Sequence, residues 1–251
     1  MANDLLLWLG FGSFIGIFVA GRWSLAPAAW IGPVILLHVA HQAPLEPALY
    51  GIWAAIAFGI LVSHWRVIPL PWFAYPVVVA LIAIPATLPY LADRLLAPYL
   101  PGVLSTLVFP LAATAGEYLG ARTSPFGTWG SVAYTQASNH PLMQLASVTG
   151  LWGIVFLVAW FASLSLWAWE HRSAPDEFMP GVLLYAGILL VVLAWGRLRI
   201  NRATQTARTV RVAAIGWPDG VLELDQLLRA FASDLKQEER SETAGRICAY
   251  Q

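Results

Sequence analysis

Seven long apolar segments leave this chain few ways to fold: residues 5–20, 26–40, 48–63, 72–91, 102–119, 148–169 and 181–195. A bilayer's hydrocarbon core is about 30 Å thick, and a helix needs about 20 apolar residues to cross it. Each segment approaches that length, some by including aromatic flanks, and a spanning helix satisfies its own backbone where no water can. Only 11% of the residues are charged and the mean hydropathy is +0.66, whereas about a quarter of a soluble domain is charged. The expected fold class is an all-α polytopic membrane helical bundle of about seven spans, occupying residues 1–200. Trp23, Trp53, Trp65, Trp72, Trp129, Trp167, Trp169 and Trp195 mostly fall near segment ends, the depth of interfacial aromatic belts. Pro33, Pro76, Pro85 and Pro110 lie within segments, where neighbouring helices must satisfy the backbone groups that proline frees. Gly12 with Gly16, and Gly116 with Gly120, have the spacing that lets helices approach closely. Packing within the chain is favoured over dimerisation.

The formal net charge is zero, but the charges are unevenly spread. Residues 1–196 hold five basic and seven acidic side chains, and the last 55 residues hold nine and seven. Residues 201–208 read as a polar linker. Residues 209–215 alternate and run apolar like a buried strand, and GWPDG at 216–220 is a turn. Leu224, Leu227, Leu228, Phe231 and Leu235 then form a helical stripe. Such a unit cannot bury its apolar face alone, so residues 209–251 are expected to open an incomplete α/β segment. The basic run at 197–211 directly follows a span, which favours phospholipid headgroups over nucleic acid as its partner. The single cysteine, Cys248, excludes an intrachain disulfide and a cysteine metal cluster. No Lys or Arg precedes Leu5 and Asp4 occupies that region, so residues 5–20 read as a retained span rather than a cleaved secretory signal. His38 and His41 share a helical face with only Glu46 close by in sequence. Together with His64, they read as interfacial hydrogen-bonding groups rather than metal ligands, and no cofactor is expected.

Between the fifth and sixth segments lies the line SPFGTWGSVAYTQ at 124–136, a Gly- and aromatic-rich polar loop. Glu117 and Arg122 stand at its entrance, where ionisable groups cost less than at the membrane centre. They read as a salt bridge or loop clamp ahead of a catalytic role. Trp129 and Tyr134 are candidates for stacking on a lipid or on a docked domain, with interface anchoring an equal alternative, and Gln136 closes the loop. Glu117-Tyr-Leu, this loop, and PLMQLASVTGLWGIVFL at 141–157 together resemble the apolipoprotein N-acyltransferase family. Tyr134 and Gln136 fit the family's loop ending, while Gln144, Gly150, Trp152, Gly153, Phe156 and Leu157 fit the segment that follows. Residues 210–215 sit where the family begins its carbon–nitrogen hydrolase (nitrilase-like) domain. The chain departs from the family pattern at Gly120, commonly Arg, and at Phe126-Gly-Thr-Trp129, commonly Phe-Pro-Trp.

The resemblance implies a multi-pass protein of the bacterial cytoplasmic (inner) membrane that acts on phospholipids and a lipoprotein. It implies a ping-pong acyl transfer, with a Cys thiolate as nucleophile, a Glu as base and a Lys at the oxyanion. Those three residues lie downstream of the family's first strand–helix unit, so residues 1–251 are expected to lack them and not to catalyse the transfer. Glu223, Lys236 and Cys248 repeat their order, but Glu223 and Lys236 belong to a charged helix face. Cys248 lacks the strand context that would lower its pKa. Two other classes stay open: a non-catalytic membrane scaffold or lipid-binding module, and a small transporter. Orientation divides the expectations, because the family places its hydrolase domain outside the cytoplasm while the arginine count points inward.

Overall fold

The computed structural model describes residues 2–65, 67 and 71–206. Every regular element among them is helical. The long helices are α1 (Ala2–Gly16), α2 (Ala26–Gln42), α3 (Leu45–Ser63), α4 (Tyr75–Leu96) and α5 (Val108–Thr123). Two single turns, α6 (His140–Met143) and α7 (Ala146–Thr149), precede α8 (Trp152–Glu170) and α9 (Pro175–Thr206). The strand, turn and helix expected after residue 208 lie outside the described residues.

Five helical stretches are long and apolar enough to cross a bilayer: Leu45–Ser63, Tyr75–Tyr99, Gly102–Thr123, Trp152–Glu170 and Pro175–Arg202. The apolar stretch Asp4–Gly16 is shorter, and α2 has 17 residues. Among the described residues the seven apolar segments thus become seven long helices, and five stretches reach spanning length, α5 only together with the 3-10 helix Gly102–Leu107 that leads into it. The last of them extends well past its apolar core, through residues 201–206. Pro76 and Pro110 fall in the first turns of α4 and α5, where the missing N–H has no partner to lose. Pro33 and Pro85, joined by Pro89 and Pro180, are the true interior prolines.

Helix α8 is the most enclosed element. Ile154, Val155, Leu157, Val158, Ala159, Trp160, Ala162 and Leu164 are all buried, and its residues contribute to two apolar clusters. One gathers Leu37, Val39, Ile52, Tyr90 and Phe109 around Ala162. The other gathers Ala29, Ala133, Leu142 and Tyr185 around Ile154 and Trp160. The Trp160 indole N–H donates to Thr106 Oγ1 at 3.0 Å and Tyr185 Oη donates to the Leu157 carbonyl at 3.0 Å, so the polar tips of these rings are satisfied.

Glycine sets the closest helix contacts. Gly16 of α1 meets Gly59 of α3 backbone to backbone; a Cβ on Gly59 would stand 2.9 Å from the Gly16 carbonyl carbon. One notch along α3, Gly51 receives the Leu9 side chain. Gly116 and Gly120, with the same four-residue spacing, have no neighbour within 4 Å of a Cβ position. The repeated spacing therefore marks a packed contact on α1 and an open face on α5.

The contacts define two ends. At one, the residues after α1 touch the end of α3: a Cβ at Gly21 would lie 2.8 Å from the Ser63 carbonyl. The start of α2, the 124–136 loop and the second half of α9 meet there too, since Gly196 is pressed against the Pro141 carbonyl. At the other end, the last turns of α2, α4 and α8 converge on His41.

Candidate loop platform and its anchoring residues

Helix α5 stops at Thr123, where the N–H of Ser124 caps the Gly120 carbonyl at 2.8 Å. The chain then turns through Gly127 and Gly130, at φ +57° and +85°, a region that residues with a Cβ rarely adopt. Ser131 caps the 3-10 turn Val132–Gln136 by accepting from the Ala133 N–H.

Glu117 holds this turn in place. Its Oε2 accepts the Ser131 hydroxyl at 2.6 Å and its Oε1 accepts the Val132 N–H at 3.2 Å. Both carboxylate oxygens are thus committed to the loop, in the clamping role expected from the sequence. Arg122 has a different partner. Its Nε and Nη2 donate to Tyr118 Oη at 3.2 and 2.9 Å, and its guanidinium lies 5.3 Å from the Tyr118 ring centroid.

Gln136 anchors the far end of the loop and is 1% exposed. Its Oε1 accepts from the Trp30 indole at 3.0 Å, and its Nε2 donates to the Ala26 carbonyl at 3.3 Å and to Thr135 Oγ1 at 2.8 Å. A buried side-chain amide with both atoms bonded fixes the loop to the start of α2. Between the two anchors, Tyr134 Oη and Thr128 Oγ1 are 2.8 Å apart. Trp129 meets the His64 ring edge-on at 5.5 Å. His64 is buried against Ser63 Oγ at 2.8 Å; burial lowers its pKa, against a smaller opposing contribution from the Ile60 backbone. Phe126, Trp129 and Tyr134 are nonetheless exposed over roughly half of their surface or more.

The loop is therefore a fixed platform with an aromatic outer face. Glu117, Trp129, Tyr134 and Gln136 come together on it, while Arg122 stands beside it on Tyr118. Sequence reasoning missed Ser131, Trp30 and His64 as their partners. Ser131 could have been found as a Ser at the start of a short helical turn, but nothing in sequence joins residue 30 to residue 136.

The opposite end carries a second polar cluster. His41 Nε2 lies 2.9 Å from Asp93 Oδ2, and its Nδ1 lies 3.0 Å from Glu170 Oε1. Neutral imidazole has one N–H, so donating to both carboxylates requires the charged ring. Burial opposes that charge, but the hydrogen bonds and charges of Asp93 and Glu170 outweigh it, and the His41 pKa rises to about 9. Arg94 donates to the carbonyls of His41 and Ala43, capping the end of α2. These groups line an open pocket of about 790 Å³ together with Trp167, His171 and Glu177. The hydrogen bonding expected of His41 is present, and its carboxylate partners come from α4 and α8. His38 instead packs on Trp8, ring centroids 4.8 Å apart.

The family model described as the apolipoprotein N-acyltransferase N-terminal domain matches residues 5–164. The chain is also similar to an apolipoprotein N-acyltransferase of Geobacter metallireducens, 28% identical over an alignment of 194 residues, with 71% of this chain and 36% of that protein covered. It thus spans little more than a third of that relative's length. The matched region holds α1 to α5, the anchored loop and most of α8, and the chain belongs to the apolipoprotein N-acyltransferase family.

Proposed function

We propose that residues 1–206 form the membrane portion of a protein that transfers a fatty acyl chain from a phospholipid to the N-terminus of a lipoprotein. The supporting observation is the 124–136 loop, pinned at both ends by Glu117 and Gln136 with Phe126, Trp129 and Tyr134 facing outward. It lies within the family match, and a rigid aromatic shelf at the bilayer surface suits apolar chains or a domain carrying them. In this reaction a Cys thiolate attacks the phospholipid ester and expels a lysophospholipid. The lipoprotein's α-amino group then attacks the thioester, losing a proton and releasing the thiolate. The platform positions these partners and performs neither bond change. The Glu, Lys and Cys of the chemistry belong to the nitrilase-like domain, which residues 209–251 begin. In this arrangement the loop end faces away from the cytoplasm.

The test is an acyl-transfer assay with the protein expressed from its native gene, a phospholipid donor and a diacylglyceryl peptide acceptor. Mass spectrometry should find the N-acylated peptide and lysophospholipid in equal amounts, and Glu117→Ala should lower both. Phospholipid retention without transfer would instead establish a non-catalytic lipid-binding module.

A further inference from the structure

The described residues of the bundle separate charge by end. The loop end holds Arg22, Arg122, Arg197, Arg199 and Arg202, and its one carboxylate, Glu117, is occupied by Ser131 and Val132. The other end holds Asp4, Glu46, Asp93, Glu170, Asp176 and Glu177 against Arg94 and Arg172. Three arginines at the loop end share one construction. Arg22 lies 5.8 Å from the Trp23 ring, Arg122 5.3 Å from Tyr118 and Arg199 5.4 Å from Trp195. All three are exposed, and they come from three separate parts of the chain.

Tryptophan and tyrosine at span ends settle at headgroup depth. A guanidinium stacked on such a ring is held at the same depth, with its planar fork of N–H donors suited to a phosphate. Two of them have limited further commitments: Arg122 also bonds Tyr118 Oη and Arg199 bonds the Ser147 hydroxyl, each leaving further N–H groups. With no uncommitted carboxylate at this end among the described residues, the field favours anions.

We propose that the loop end is a binding surface for anionic phospholipid headgroups, held by Arg22, Arg122 and Arg199 on their aromatic seats. Arg172 provides an internal comparison. It lies 5.4 Å from the Trp169 ring, the same construction, but beside Glu170 and near Asp176 and Glu177 in sequence, where anionic lipid is repelled.

The experiment equilibrates the full chain with equimolar phosphatidylglycerol and phosphatidylcholine in mixed micelles, and counts retained lipids by native mass spectrometry. Wild-type protein should enrich phosphatidylglycerol, by about five-fold for each engaged arginine. The triple variant R22Q/R122Q/R199Q should bring the ratio close to unity, R22K/R122K/R199K should keep part of the enrichment, and Arg172→Gln should leave it unchanged. Equal retention of the two lipids by wild type, an unaffected triple variant, or an equal loss in R172Q would overturn the proposal. So would displacement of phosphatidylglycerol by millimolar inorganic phosphate, which would mark a site for free phosphate. Because acyl transfer is not measured, the outcome is independent of the catalytic reading.

Discussion

The indole N–H of Trp30 donates to Gln136 Oε1 at 3.0 Å, joining the start of α2 to a loop 106 residues further along the chain. Removing one partner strands the other in a buried setting, at a cost of about 1–3 kcal/mol for each unsatisfied group. Gln136→Leu leaves the Trp30 indole N–H without its acceptor. It should lower the thermal unfolding midpoint in detergent, and adding Trp30→Phe should restore part of the loss. A midpoint unchanged in Q136L would remove Gln136 as an anchor.

Glu117 should govern how often the loop opens. Glu117→Ala releases the Ser131 hydroxyl and the Val132 N–H together, and hydrogen exchange over residues 124–136 should rise by roughly ten-fold or more. Glu117→Gln keeps one acceptor oxygen and should fall between the two. Equal exchange in E117A and wild type would mean that the turn holds itself.

His41 makes stability depend on alkaline pH. Its folded pKa is raised to about 9 while the unfolded value is about 6.5, so the charged ring is favoured by folding. Its contribution is complete below about pH 6.5 and is lost as pH rises through about 9. The ring-proton resonances of His41 should titrate near pH 9, and His41→Gln should flatten the decline in unfolding midpoint across that window. A ring that titrates near 6.5 would show that Asp93 and Glu170 do not hold its proton.

Two glycine substitutions separate close packing from open space. Gly59→Ala places a Cβ 2.9–3.2 Å from the Gly16 backbone, and overpacking of this kind costs about 1–3 kcal/mol. Gly187→Ala meets nothing within 4 Å and should be neutral or stabilising by up to about 1 kcal/mol through helix propensity. Comparing the two unfolding midpoints checks both.

Apolar length and the aromatic flanks made the helices legible, because a span's length and composition are local properties. Helix α9 outran its apolar segment since its last turns, which carry Arg197, Arg199 and Arg202, remain helical beyond the hydrophobic stretch. Partnerships were not legible. His41 reads in sequence as an interfacial hydrogen-bonding group with no partner named, and it bonds Asp93 and Glu170, 52 and 129 residues away. Gly16 and Gly116 begin or end the same motif, yet only the first touches another backbone. At the loop, Glu117 and Gln136 could be singled out because charged and amide groups are scarce in and beside apolar spans, and Trp129 and Tyr134 because aromatic rings gather at span ends. Their bonding depends on how α2 and α5 pack, which no local pattern encodes.

The two glycine notches of α3 bear on how the protein is made. Leu9 fits at Gly51 and Gly16 closes on Gly59, so the seat for the first helix is cut into the third. During synthesis α1 leaves the ribosome before that seat exists. It must wait in the bilayer, with α2 for company, until α3 has been inserted beside it.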